Sequence, residues 1–297
     1  MGWLFFLLFL VVVLRIAVTV KPSLRRPLLI GCYIVLAGIL LYMFFLFGGC
    51  SGNPTRAYSG NFPGIYILIL VAVAALSIGT YYFVVVSKYK KTTYYQITHN
   101  GYFKMRGDDG LRGEYQAYTN LSYLEDSGCR FLFNVYLPTN HGETTEADII
   151  LFTKLGLVVI ESKNYSGWIF GSEQQANWTQ TLPQGRRTQK NRFYNPLWQN
   201  HAHILAIANI LGWLPPMYSV VAFADGCELK DVTWNTPGTY VSYYQALPAI
   251  IEDISTRNDE TLSDDDVFQL WGQLYPYSQA NQAIKAQHVS DVARKRR

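Results

Sequence analysis

Acidic residues are missing from the first third of the chain. No Asp or Glu occurs before Asp108, and all 21 acids lie within residues 88–297 beside 20 of the 25 basic residues. The other five, Arg15, Lys21, Arg25, Arg26 and Arg56, give the N-terminal part its positive charge, while 88–297 is close to neutral. Whole-protein charge therefore offers no argument for a nucleic-acid partner. Cysteine is also scarce. Cys32, Cys50, Cys129 and Cys227 form no CxxC pair, which excludes a zinc ribbon or a dithiol redox motif, and Cys129 and Cys227 read as reduced thiols. There is no internal repeat, Gly-rich phosphate loop, nucleophile elbow or His-Glu zinc motif.

What the first third does have is long apolar runs. Three candidate spans cover about 3–20, 27–48 and 64–87. At ~1.5 Å rise per residue, a run of ~20 crosses the hydrocarbon of a bilayer. Arg15 interrupts the first run near one end, where its side chain would reach the head groups. A cleaved signal peptide is the alternative, but the run lacks a positive n-region and a clear cleavage site. Lys21, Arg25 and Arg26 follow the first span, Arg56 alone follows the second, and Lys88, Lys90 and Lys91 follow the third. The positive-inside rule then predicts a multi-pass protein of the inner (plasma) membrane, with the soluble part in the cytoplasm.

Beyond an expected connector at 88–109, strand-like at Thr92–Ile97, Leu111, Tyr115, Tyr118, Leu121 and Leu124 predict an amphipathic helix over Gly110–Asp126. Strands are expected at Arg130–Leu137, Ala147–Thr153, Leu157–Lys163 and Met217–Ala224, with Trp168–Gly171 and Trp178–Leu182 continuing the same sheet. Asn195-Pro196 opens a helix running to about Leu211, and later helices are expected from Ser242, Ser263 and Ser278. The sum is an α/β fold: a mixed central sheet flanked by helices, preceded by three transmembrane helices. Residues 110–224 form its core, and 225–297 a C-terminal strand and helical extension.

Charged residues inside apolar strands single out one segment. Asp148 opens one buried strand, and Glu161 and Lys163 close the next. A two-residue turn at Leu155-Gly156 would pair Lys154 with Leu157 and Asp148 with Lys163, leaving Asp148, Glu161 and Lys163 on one face. A three-residue turn without a bulge would break the cluster. Two carboxylates at adjacent strand ends repel one another, and a hard cation, Mg²⁺ or Mn²⁺, would relieve this. A structural ion pair at the sheet edge would use the same residues.

The stretch from Gly113 to about Leu211 resembles the nuclease-related domain (NERD) of the restriction-endonuclease-like, PD-(D/E)xK superfamily. The matching pieces are Gly113-Glu114, Asn134–Pro138, Glu146–Asp148, Gly156–Gly167, Trp178 and Asn195–Gln199, in that order. The resemblance implies metal-dependent hydrolysis of DNA or RNA. Asp148, Glu161 and the Ser162 carbonyl would hold the metal, Lys163 would position the attacking water, Glu114 would lie near the metal, and Gln199 would line the site.

Arg186, Arg187, Lys190 and Arg192 beside Phe193 and Tyr194 offer a phosphate-gripping loop, or else a solvated one. Arg294–Arg297 could meet nucleic acid or lipid, or end a helix. His201 and His203, two apart on a helix, make a poor metal pair. A non-catalytic module binding nucleic acid or protein at the membrane is the competing class. Transport or signalling is disfavoured, because only Arg15 is charged within the spans.

Overall fold

A computed structural model describes residues 62–139, 142–184 and 187–295. The chain divides into two units, Met1–Tyr89 and Lys90–Arg297. In the first, helix α1 (Phe62–Lys90) is described. Its stretch Val71–Lys90 is long and apolar enough to cross a membrane, by length and composition. It is the one such helix among the described residues. The two earlier runs, about 3–20 and 27–48, lie outside the described residues.

The second unit begins with three helices, α2 (Thr93–Thr98), α3 (Tyr102–Gly107) and α4 (Asp109–Leu121). The strand-like reading of Thr92–Ile97 is corrected to a helix: the Thr92 side chain caps it by accepting from Tyr95 N, and Tyr94 and Ile97, three apart, are buried. The expected helix Gly110–Asp126 ends earlier, giving way at Ser122 to a 3₁₀ segment, Ser122–Ser127.

Among the described residues nine strands follow: β1 (Arg130–Pro138), β2 (Thr144–Thr153), β3 (Gly156–Lys163), β4 (Gly167–Ser172), β5 (Asn177–Gln184), β6 (Arg187–Tyr194), β7 (Met217–Phe223), β8 (Cys227–Thr233) and β9 (Thr239–Tyr243). Between β6 and β7 runs α5 (Pro196–Leu211), and after β9 come α6 (Leu247–Arg257), α7 (Asp264–Ser278) and α8 (Gln282–Lys295). The first sheet has the order β1-β2-β3-β7-β9, antiparallel from β1 to β3 and parallel from β3 to β9. Strand β3 is apolar and buried from Gly156 to Ile160, as a central strand covered on both faces must be.

Trp168–Gly171 and Trp178–Leu182 do not continue that sheet. They belong to a second one, β6-β5-β4-β8. The chain leaves the first sheet after β3 and again after β7, and the two departing segments pair in parallel as β4 and β8. Trp178 seals the junction. It is fully buried and stacks on Phe223 at 6.2 Å, within a cluster that includes Ile169, Leu197 and Val221. The helix expected at Ser242 begins instead at Leu247, since Ser242 is still in β9, and that expected at Ser278 begins at Gln282. Ser263 caps α7 as expected, in a reciprocal box with Asp266.

Candidate active site at the end of β3

The β2–β3 hairpin sets the register of the charged segment. Thr153 pairs with Gly156, so the turn is Lys154-Leu155 rather than Leu155-Gly156. The Thr153 hydroxyl holds this turn, donating to Gly156 O at 2.9 Å and accepting from Leu155 N at 3.1 Å. Gly156 is held at φ 129°, with Pro216 O so close that a Cβ there would meet it at 2.2 Å. The register thus differs from the expected one by two residues, and a shift of two keeps every side chain on its face. Ile149 pairs with Ile160, and continuing one step places Asp148 opposite Glu161, not Lys163.

Glu161 is the centre of the site. Its carboxylate is almost fully enclosed and held at both oxygens: Lys163 Nζ lies 2.5 Å from Oε1, and His203 Nε2 lies 3.1 Å from Oε2. Burial works against the Glu161 charge, but Lys163 and His203 outweigh it and hold the carboxyl below its usual range. Burial likewise opposes the Lys163 charge, and Glu161 and Asp148 overcome it, so the ammonium is held above its usual range. Lys163 also donates to Gln199 Oε1 at 3.1 Å.

Helix α5 delivers both Gln199 and His203, and its sequence explains why. Asn195 caps the helix by accepting from Leu197 N at 2.9 Å, while its amide reaches carbonyls of Ser172, Glu173 and Gln175. One turn on, the buried Asn200 amide donates to Val159 O at 2.8 Å and Ser219 Oγ at 2.9 Å, pinning α5 across β3 and β7. Gln199 and His203, four apart, then share one helical face. Thr145 Oγ1 lies 2.9 Å from His203 Nδ1 and orients the ring from its other side.

The remaining two carboxyls are in a different electrostatic state. Asp148 is half-buried and accepts from Ser162 N at 2.8 Å. Burial, then the charges of Glu161 and Glu114, push its carboxyl well above the usual range. Glu114 is pushed up to about 8, chiefly by burial, although hydrogen bonds from Asn134 and Tyr94 pull the other way. Those bonds reach Glu114 Oε2 at 2.8 and 3.0 Å. Asn134 makes its bond from φ 48°, a left-handed conformation inside β1. Gly113 permits the approach of α4: a Cβ there would lie 2.6 Å from Tyr244 Oη and 2.8 Å from Asn164 Cβ.

The Lys163 ammonium balances the Glu161 carboxylate, and Asp148 and Glu114, both raised, favour their neutral forms as the site stands. The donor chemistry, hard oxygens at adjacent strand ends, suits a small divalent cation. As arranged, however, the Lys163 ammonium occupies one Glu161 oxygen and His203 the other. Among the described residues no three His, Cys, Asp or Glu side chains are grouped to hold a metal.

The model of the family described as "Nuclease-related domain" matches residues 109–224, from the start of α4 to just past β7. An uncharacterized protein of Bacillus anthracis is 35% identical over 180 residues, covering 61% of this chain and 82% of that protein. The chain belongs to the nuclease-related domain family. No solved structure matches.

Within this nuclease-related domain the structure joins Glu161, Lys163 and Gln199 by direct hydrogen bonds, and brings Asp148 and Glu114 within electrostatic reach. It does not bring in the basic stretch as a loop. Lys190 is exposed on strand β6 of the second sheet, opposite Thr181; Arg187 opens that strand, and Arg186 lies outside the described residues. His201 and His203, two apart, fall on different helical faces, and His203 belongs to the site without His201. The informative spacing was Gln199 to His203, one turn of helix. Asn134 and Tyr94 carried no separate signal, because their role depends on a backbone conformation and a buried approach.

Proposed function

We propose that this protein is a membrane-anchored, metal-dependent nuclease of the PD-(D/E)xK type that hydrolyses phosphodiester bonds of DNA or RNA at the cytoplasmic face. The observation that carries the reading is the buried Glu161–Lys163 pair, gripped by Gln199 and His203 at the end of β3 and flanked by Asp148. A charged pair in so enclosed a place costs several kcal/mol of desolvation, an outlay with little structural return. Asp148, Glu161 and the Ser162 carbonyl would hold Mg²⁺ or Mn²⁺. Bound there, the ion would supply charge stabilisation at the phosphate and a more acidic water. Lys163 would hold that water by its ammonium, with Gln199 keeping the amine aimed. His203 would fix the Glu161 carboxylate, and Glu114, protonated near neutrality, would donate a hydrogen bond or release its proton as a cation enters. The anchor would comprise α1 and the two apolar runs before it, with the positive-inside arrangement placing this domain in the cytoplasm.

The test is a nuclease assay of the full chain in detergent micelles with Mg²⁺ or Mn²⁺, beside Asp148→Ala, Lys163→Ala and a chelator control. Activity present in the wild type and lost in the variants and with chelator supports the reading. Equal activity in all proteins rejects it. A second reading has its own observation: both Glu161 oxygens are already held by protein groups, the Lys163 ammonium and the His203 ring. That favours a non-catalytic binding module, for which the wild type would bind nucleic acid or protein without cleavage at any metal concentration.

A further inference from the structure

The outer face of the second sheet has a layout that the candidate active site does not use. Cross-strand registers align three rows: Trp168, Thr181 and Lys190; Phe170, Thr179 and Arg192; and Asn177 with Tyr194. Residues alternate between faces along a strand, so these side chains share one face. Trp168 and Tyr194 are exposed by 38% and 54%, and Lys190 and Arg192 are exposed too. The alternate residues, Ile169, Trp178 and Phe193, face inward and pack in the core.

Strands β4, β5 and β6 carry no acid, and the positive charge of this face comes from Lys190 and Arg192 on β6. No Asp or Glu occurs between Glu173 and Asp225, which spans β5, β6 and α5. Acids return on β8, where Glu228 and Asp231 lie in register with Trp168 and Phe170; Glu228 is ion-paired with Lys230 at 2.5 Å, and Lys230 Nζ sits 5.5 Å over one side of the Trp168 ring. The face also adjoins the candidate active site. Phe193, on the reverse of the Arg192–Tyr194 segment, packs at 4.8 Å on Tyr165, two residues beyond Lys163.

We propose that the outer face of β4–β5–β6 is a platform for single-stranded nucleic acid, with Trp168 and Tyr194 stacking on bases and Lys190 and Arg192 gripping phosphates. The proposal rests on the nuclease reading for its biological sense, and it names the substrate class of that site. Exposed rings on a sheet can stack only on bases not already stacked in a duplex, and stacking needs no particular base. The basic side chains on the neighbouring strand supply the complement to the phosphate backbone.

The experiment is fluorescence anisotropy of a labelled mixed-sequence oligodeoxynucleotide with the full chain in detergent micelles. A chelator is present so that binding is read without cleavage. Trp168→Ala and Tyr194→Ala should each weaken single-strand binding about tenfold, as loss of one stacked base predicts. Tyr194→Phe, which keeps the ring, should bind as wild type. Lys190→Ala with Arg192→Ala should reduce the slope of log affinity against log salt by about 0.7 per charge removed. All four residues are on the surface, so unchanged melting curves will show that the variants fold. Unaltered affinity and salt slope in the folded variants would overturn the proposal. So would a duplex bound at least as tightly as the single strand, or polyglutamate competing as well as the oligonucleotide. Binding that follows the predicted pattern without any cleavage in the metal assay would uphold the platform while rejecting the nuclease reading. Cleavage by a wild type whose platform variants bind and cut normally would do the reverse.

Discussion

Asn134 donates its side-chain amide to Glu114 Oε2 over 2.8 Å from a backbone held at φ 48° inside a strand. Its neighbours Phe133 and Val135 keep regular pairing with Ile149 and Ala147, so the distortion is confined to one residue, the one facing the Asp148 position. A left-handed residue in a strand costs about 1 kcal/mol or more, less for Asn than for most, and persists where the surroundings over-determine it. Here the return is a partner for a buried carboxyl. Asn134→Ala loses that partner and keeps the strain, so a destabilisation of about 1–3 kcal/mol is expected. Asn134→Gly relieves the strain and should be milder. Denaturant unfolding of the two variants checks the order, and a glycine variant weaker than the alanine one would contradict it.

Glu114 makes stability depend on pH with a definite sign. Its carboxyl moves from an ordinary 4.5 to about 8 on folding, so the folded state holds a proton that the unfolded chain has lost. Such an acid carries no penalty below about 4.5, and the wild type loses stability as pH climbs from there towards 8. Glu114→Gln keeps the acceptor for Asn134 but cannot ionise. The melting-temperature advantage of Gln over Glu should therefore widen between pH 5 and pH 8. A constant difference across that window would count against a neutral Glu114.

Gly113 should resist even the smallest side chain. A methyl there meets Tyr244 Oη at 2.6 Å, Asn164 Cβ at 2.8 Å and Ser162 Oγ at 3.0 Å, and would lift α4 from the end of β3. Gly113→Ala should destabilise by about 1–3 kcal/mol through overpacking, despite alanine's better helix propensity. Gly107→Ala, where nothing lies within 4 Å, is the neutral comparison. Equal melting temperatures for the two would refute the close approach.

His203 should act through Glu161. Its ring is fixed between Thr145 Oγ1 at 2.9 Å and Glu161 Oε2 at 3.1 Å. Partners that orient a metal ligand typically matter about 10–100-fold in metal affinity or activity. Under the proposed metal-dependent cleavage, with Glu161 holding the ion, His203→Ala should raise the Mg²⁺ concentration needed for half-maximal cleavage by at least about tenfold. His201→Ala, on the neighbouring helical face, should leave it unchanged. A matched effect at both positions would point to general damage to α5.

Local patterning carried a large part of this protein. Apolar runs bounded by Gly and Pro marked β1, β2, β3 and β7, because a strand buried on both faces has few other compositions open to it. Asn195-Pro196 marked the start of α5 and Ser263 that of α7, because their caps are satisfied within three residues. Glu161 and Lys163 stood out for the same local reason: charge in an apolar strand needs compensation. Local signals mislead where distant groups decide. Thr92–Ile97 has strand-like residues, but the Thr92 cap and burial of Tyr94 make it a helix. The hairpin turn moved by one residue, and its pairing register by two, with the Thr153 hydroxyl closing the turn on Gly156 O and Leu155 N.

From its residues alone this chain determined an apolar N-terminal part, an α/β domain, and a charged trio at two strand ends whose faces survive any even slip in register. Tertiary structure alone decided that β4 to β6 form a second sheet, that the basic stretch is a strand beside exposed rings, and that His203, Asn134 and Tyr94 hold the site's carboxyls. The reason is physical: capping and hydrophobic period act over a few residues, whereas burial and a long-range hydrogen bond exist only once remote segments meet.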